Sequence, residues 1–255
     1  MTEAEALFNQ AFVRTLKIWS SISTFRDSLL GVIAEVSERQ RALVADIYDK
    51  LAYDPGYTHL LVNPKGFAEK VDKPKFVATA AEGIVKGTIG SLDAATVVFA
   101  HSVLDAAAID YCRVTAVAAP NDWEQDLKNS QIPLSEIAKS SYAELLKRKL
   151  DEHLKKLERE SLAVKIDRLL ARCQPPAKWS PMENYEFDLS ITKNLDDQRH
   201  EIVHGAAIGH PLKIFALSSD SLWYLQRTTM YFAGLVNLRY GLRIDPSYVG
   251  TLYGS

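Results

Sequence analysis

From Glu3 to Trp19, and again from Phe25 to Leu51, apolar residues return every three or four positions, as in Leu29, Leu30, Val32, Ile33, Val36, Leu43, Val44, Ile47 and Leu51. That is the period of a helix with one buried face, and it predicts two N-terminal helices. Tyr53 to Lys75 breaks the pattern with Pro55, Gly56, Asn63, Pro64, Gly66 and Pro74, and reads as a linker or a long surface loop. A third helix is expected from Ser91, as its N-cap, to Ala119, stopped by Pro120-Asn121. Gly83, Gly87 and Gly90 lead into it; with no Lys-Ser/Thr after them they do not make a phosphate-binding loop. The longest helical pattern runs from Ser135 to Cys173, opening on Pro133-Leu134-Ser135-Glu136 in the manner of a capping box and ending at Pro175-Pro176, with room for a break near Ser161. A helix from Asp188 or Ser190 to Gly205, another from Ser221 to about Leu242, and a short strand within Gly209 to Leu217 complete the expected elements.

No other run alternates apolar and polar residues, and no repeat is visible. The expected class is therefore all-α, an antiparallel bundle of long helices. The turn-rich stretch divides it into an N-terminal helical region with its loop, residues 1–75, and a main helical domain, residues 76–255.

Composition narrows the picture. With 47% hydrophobic and 24% charged residues in 255, the chain can bury a sizeable core. A net charge of -2 argues against a protein that coats nucleic acid, so any phosphate contact is expected to be local. The two cysteines, Cys112 and Cys173, are too few for a disulfide framework or a Cys-rich zinc site, and read as buried free thiols. The acidic start Met1-Thr2-Glu3-Ala4-Glu5 is unlike a secretory signal, and the longest apolar runs, such as Ala94 to Ala100, fall well short of the roughly 20 residues of a membrane span. A cytoplasmic protein with no membrane partner is expected.

Candidate chemistry concentrates in Gln198-Arg199-His200-Glu201-Ile202-Val203-His204-Gly205, which supports two readings. His200-Glu201-Ile202-Val203-His204 is H-E-x-x-H, two imidazoles one helical turn apart that can bind zinc, with Glu201 as base and His210 where a third ligand would stand. The longer zinc signature needs a Gly where this chain has Ala207, and Met230, the one candidate for a Met-turn, falls in a helical pattern. The other reading begins at Arg199 and ends at His204. Arg-polar-x-Ile-Val-His-Gly in an all-helical setting resembles the R-x4-6-H motif of the HEPN superfamily of ribonucleases and nucleotide-binding proteins. Asp105, in Ala100-His101-Ser102-Val103-Leu104-Asp105, is similar to the acidic residue that often sits beside that motif. The resemblance runs from about Ser91 to Leu242 and implies a HEPN-type bundle with additional N-terminal helices.

Metal-free RNA cleavage proceeds by attack of the ribose 2'-hydroxyl on the adjacent phosphorus. It needs a proton carrier and a cation against the phosphoryl oxygens. Arg199, with its planar fork of donors, suits the phosphate, and His204 suits the proton; His200, about 40° from His204 around the helix, faces the same way. Asp105 is expected to orient Arg199. Residues five apart on a helix diverge by about 140°, so one motif converges poorly on one phosphate. A homodimer with a composite site, as the resemblance also implies, would resolve this. No cofactor is expected. The partners implied are an RNA substrate, a second copy, and an antitoxin or defence-system protein that restrains or activates the enzyme.

The remaining features read blandly. His59, His101, His153 and His210 are isolated, and surface or satisfied polar roles fit them best. Lys147 to Arg172 mixes Lys and Arg with Asp and Glu in the manner of a wet helix face. Trp223, Tyr224, Tyr231, Phe232 and Tyr240, at helical spacing, fit a core or a dimer interface better than base stacking.

Overall fold

A computed structural model describes residues 1–52, 60–62, 68–70, 72–128, 132, 137, 140–183, 185–204 and 218–250. Its elements are α1 (Glu3–Gly31), α2 (Ile33–Ala52), a hairpin of β1 (Leu60–Val62) and β2 (Ala68–Lys70), α3 (Lys73–Ala118), a 3-10 helix (Pro120–Leu127), α4 (Tyr142–Leu157), α5 (Leu162–Cys173), α6 (Leu189–His204), α7 (Ser218–Tyr240) and the short α8 (Pro246–Gly250). The class is all-α, as the periodicity predicts. The hairpin, antiparallel with Leu60 opposite Lys70 and Val62 opposite Ala68, lies where a linker or loop was expected. The strand anticipated within Gly209 to Leu217 lies outside the described residues.

Several helix boundaries differ from the sequence reading. α1 does not end at Trp19 but runs to Gly31. Ser21 and Ser28 turn their hydroxyls back onto the Lys17 and Thr24 carbonyls at 2.9 and 2.8 Å and so stay inside the helix. α3 does not start at Ser91 but at Lys73, taking Gly83, Gly87 and Gly90 into its interior. Ser91 is no N-cap, since its hydroxyl donates to the Gly87 carbonyl one turn back at 2.9 Å. Isolated glycines weaken a helix by about 0.5–1 kcal/mol each, too little to stop one whose other positions propagate it. A capping box sits at Ser141 and Glu144, where each side chain bonds the other residue's backbone N–H; the capping-box start read at Ser135 and Glu136 lies outside the described residues. The break near Ser161 is present, with the Ser161 hydroxyl accepting from Val164 N as the cap of α5. Gln174 then ends α5 in a left-handed conformation (φ +46°) just before Pro175-Pro176.

Two compact units are formed, Met1–Ile22 with Thr96–Ser255 and, separately, Ser23–Ala95. They part inside α1 and α3 rather than in the turn-rich stretch. In the larger unit the α3 half from Thr96 to Ala118 is the core helix, with Val97, Ala100, Leu104, Ala107, Ala108, Tyr111 and Cys112 almost closed to solvent. Phe8 and Phe12 of α1, Leu150 and Leu154 of α4, Ile166 and Leu169 of α5, Leu195 of α6 and Leu225, Phe232 and Leu235 of α7 surround it. Asn9 closes the two ends of this unit, accepting from Asp245 N at 2.8 Å and donating to the Arg243 carbonyl at 3.4 Å. Arg172 pins the 3-10 helix by donating to the Asp122 carbonyl, pairing with Asp126 and lying 5.0 Å over the Trp123 ring.

Both cysteines are free and buried, as expected, and burial raises each thiol to about 12. Tyr224, Tyr231 and Phe232 are core residues, while Trp223 is half exposed. By length and mean hydropathy α3 is the one helix among the described residues that could cross a membrane, although no uninterrupted apolar run in it reaches that length.

Candidate functional site

α6 carries the motif, and its position follows from its inward stripe. Thr192, Leu195 and Gln198 are buried, and Ile202 packs partly against the core, a spacing of three and four that leaves the flanking positions free. The Thr192 hydroxyl and the Tyr224 phenol, 2.6 Å apart, tie this face to α7. Asp188 accepts from Ser190 N at 2.8 Å and starts the helix.

On one flank of that stripe stand Asp196, Arg199 and His200, within an arc of about 100°. They face residues of α3 and of the first turn of α5 across a cleft of about 740 Å³, lined also by His101, Asp105 and Lys165. An imidazole–carboxylate hydrogen bond and an ion pair cross-link its walls. His101 Nε2 donates to Asp196 Oδ1 at 2.5 Å, while Asp196 Oδ2 accepts from Ala163 N in α5 at 3.4 Å. One carboxylate thus joins three helices at the N-terminal, positive end of α5. One turn further along α3, Asp105 Oδ1 accepts from the Lys165 ammonium at 2.5 Å; Lys165 is 1% exposed and Asp105 about a third. A cation buried this deeply is tolerable only when paired, so Lys165 and Asp105 fix each other.

Arg199 Nε is buried with no hydrogen-bond partner among the described residues. Asp105, expected to orient Arg199, is instead bonded to Lys165. A buried donor left unmatched costs about 1–3 kcal/mol, which favours an acceptor entering from the cleft. His200 and His204 sit with ring centroids 4.7 Å apart, the two imidazoles on one side of the helix, as their spacing predicts. His204 and Glu201 are exposed, and His204 meets the cleft only through His200. The other charged residues along the cleft, Arg159 and Lys193 against Glu158, Glu160 and Asp197, are of mixed sign, so attraction for a phosphate rests on the inner groups.

Arg199, His200 and Asp105 are therefore brought to one cleft, with His204 at its edge. His210 and Gly205 lie outside the described residues, and among the described ones no three His, Cys, Asp or Glu side chains are grouped to hold a metal. The residues that the sequence reading passed over are His101, Asp196 and Lys165. A signal existed: His101 and Asp105 are two polar residues one turn apart on the most apolar helix of the chain, and such residues must find partners. Compared with known proteins, the chain matches no family model, no curated protein and no solved structure.

Proposed function

We propose that this chain is a metal-independent endoribonuclease of the HEPN type. The observation that carries the reading is a cleft in which Arg199, its Nε unpartnered among the described residues, stands beside His200, whose imidazole in turn lies against that of His204 at the cleft's edge. A guanidinium and an imidazole are the two kinds of group that metal-free RNA cleavage requires. Arg199 holds a non-bridging phosphoryl oxygen through charge-assisted hydrogen bonds. The 2'-hydroxyl attacks phosphorus, the bond to the 5' oxygen breaks, and His204, alone or through His200, carries a proton in that exchange. The products are a 2',3'-cyclic phosphate and a free 5'-hydroxyl. Asp105 acts indirectly, through Lys165, by holding the wall opposite Arg199.

The free, buried thiols fit a reducing cytoplasm, where such an enzyme meets its substrate. A homodimer, and a protein partner of the antitoxin or defence kind that restrains the activity, belong to the same proposal by analogy with the family.

The test is cleavage of total or transfer RNA by purified protein in excess EDTA, with wild type beside Arg199→Ala and His204→Ala. Wild type is expected to cleave and leave cyclic phosphate ends, and both variants to lose about 100-fold or more. Activity that appears only with added zinc and vanishes in Glu201→Gln would replace this reading with a zinc peptidase on His200 and His204. Binding of RNA without cleavage in either condition would replace it with a scaffold.

A further inference from the structure

Resting on the ribonuclease reading, we propose that His101 is the general base of the cleft and that Asp196 positions it. Three observations lead there. His101 is the one imidazole on the wall facing α6, and it lines the cleft that holds Arg199 and His200. Its side chain keeps 11% of its surface open although the residue belongs to the core helix α3. Its Nε2 lies 2.5 Å from Asp196 Oδ1; an ionised carboxylate only accepts, so Nε2 carries the hydrogen and Nδ1 is the ring atom left to take a proton.

A carboxylate behind an imidazole stabilises the imidazolium formed when the ring takes a proton, and holds its plane meanwhile. Asp196 is itself held, because its second oxygen accepts from Ala163 N at the start of α5. It also lies three residues before Arg199 on α6, so the residue that aims His101 shares a helix face with the residue that would bind phosphate.

In the step, His101 Nδ1 takes the proton of the 2'-hydroxyl as the 2' oxygen bonds to phosphorus. The bond from phosphorus to the 5' oxygen breaks, and that oxygen receives a proton from the His200 and His204 pair. Both imidazole sites return to their starting states by exchange with water, and nothing is oxidised or reduced. Base and acid then approach from different helices, α3 and α6, which the motif alone, confined to α6, does not provide.

His101→Gln separates chemistry from architecture, because the new amide can still donate to Asp196 but cannot carry a proton. Purified wild type, His101→Gln, His101→Asn and Asp196→Asn are compared in single-turnover RNA cleavage, in binding of a 2'-O-methyl oligoribonucleotide that cannot react, and in thermal melting. His101→Gln is expected to melt and bind as wild type does while cleaving at least about 100-fold more slowly. Asp196→Asn is expected to lower kcat with KM unchanged. If wild type cleaves, Arg199→Ala does not, and His101→Gln keeps wild-type rates, this inference is overturned and the ribonuclease reading stands. If both His101 variants lose melting temperature and cleavage together, the pair is a structural tie and the inference is likewise overturned. If wild type binds the oligoribonucleotide but cleaves no RNA, the underlying reading falls and this one with it.

Discussion

The two halves of α3 have the same secondary structure and unlike surroundings. From Thr96 to Ala118 the helix is a core element whose inward residues are almost closed to solvent. From Lys73 to Ala95 its one buried residue is Ala81, Ile84 is 41% exposed, and a methyl group added at Gly83, Gly87 or Gly90 would touch nothing. A helix satisfies its own backbone hydrogen bonds wherever it lies, so being helical says little about how tightly a position is specified. Specification comes from packing, and the cleft is built on the packed half.

Substitution should expose this contrast most strongly at matched apolar positions. Leu104→Ala, in the packed half, is expected to destabilise by about 2–5 kcal/mol in urea denaturation, since it opens a cavity. Ile84→Ala should stay within about 0.5 kcal/mol. Equal losses would mean that the Lys73 to Ala95 half is buried in solution and the contrast is wrong.

Glycines give a smaller effect with opposite signs. A Cβ at Gly234 of α7 would lie 2.6 Å from Pro181 side-chain atoms and 3.1 Å from the Trp179 ring. Gly234→Ala is therefore expected to lose about 1–3 kcal/mol by overpacking. Gly87→Ala should gain about 0.5–1 kcal/mol, because it removes backbone freedom from the unfolded chain and meets no neighbour. Melting curves of the two variants should move in opposite directions.

The mildest probe leaves the sequence of the core untouched. Burial holds Cys112 and Cys173 protonated up to about 12, so an aromatic disulfide reagent at pH 8 should label them only as fast as the larger unit opens. Thr88→Cys, exposed in the other half, should react at once. Fast reaction of the native thiols would show that the core opens far more readily than its packing implies.

Much of the helical plan was legible because apolar spacing is a local property. α6 and α7 lie close to where the pattern puts them, α2 ends near Leu51 as expected but begins at Ile33 rather than Phe25, and the break at Ser161 shows in sequence as a serine between two amphipathic stretches. Errors arose where a residue's preference was weaker than its context. Ser91 resembles a cap, yet it bonds back to its own helix, as Ser21 and Ser28 do to theirs. The site divides in the same way. The neighbourhood of His200 and His204 follows from helix geometry alone. The pairing of His101 with Asp196, and of Asp105 with Lys165 in place of Arg199, depends on how helices dock, which no spacing within one helix encodes.

The His101 to Asp196 bond also sets a clock on the ribosome. Its partners are 95 residues apart in the chain, and translation at about 5–20 residues per second separates their synthesis by roughly 5–20 seconds. Through that interval α3 has been made with an imidazole and a carboxylate on its inward face and nothing yet to pair the imidazole. The nascent chain has no cleft, and on the reading above no nuclease activity, until α6 emerges and docks. A protein that cuts RNA would thereby complete its active site only after the ribosome has gone on about 95 residues past its general base.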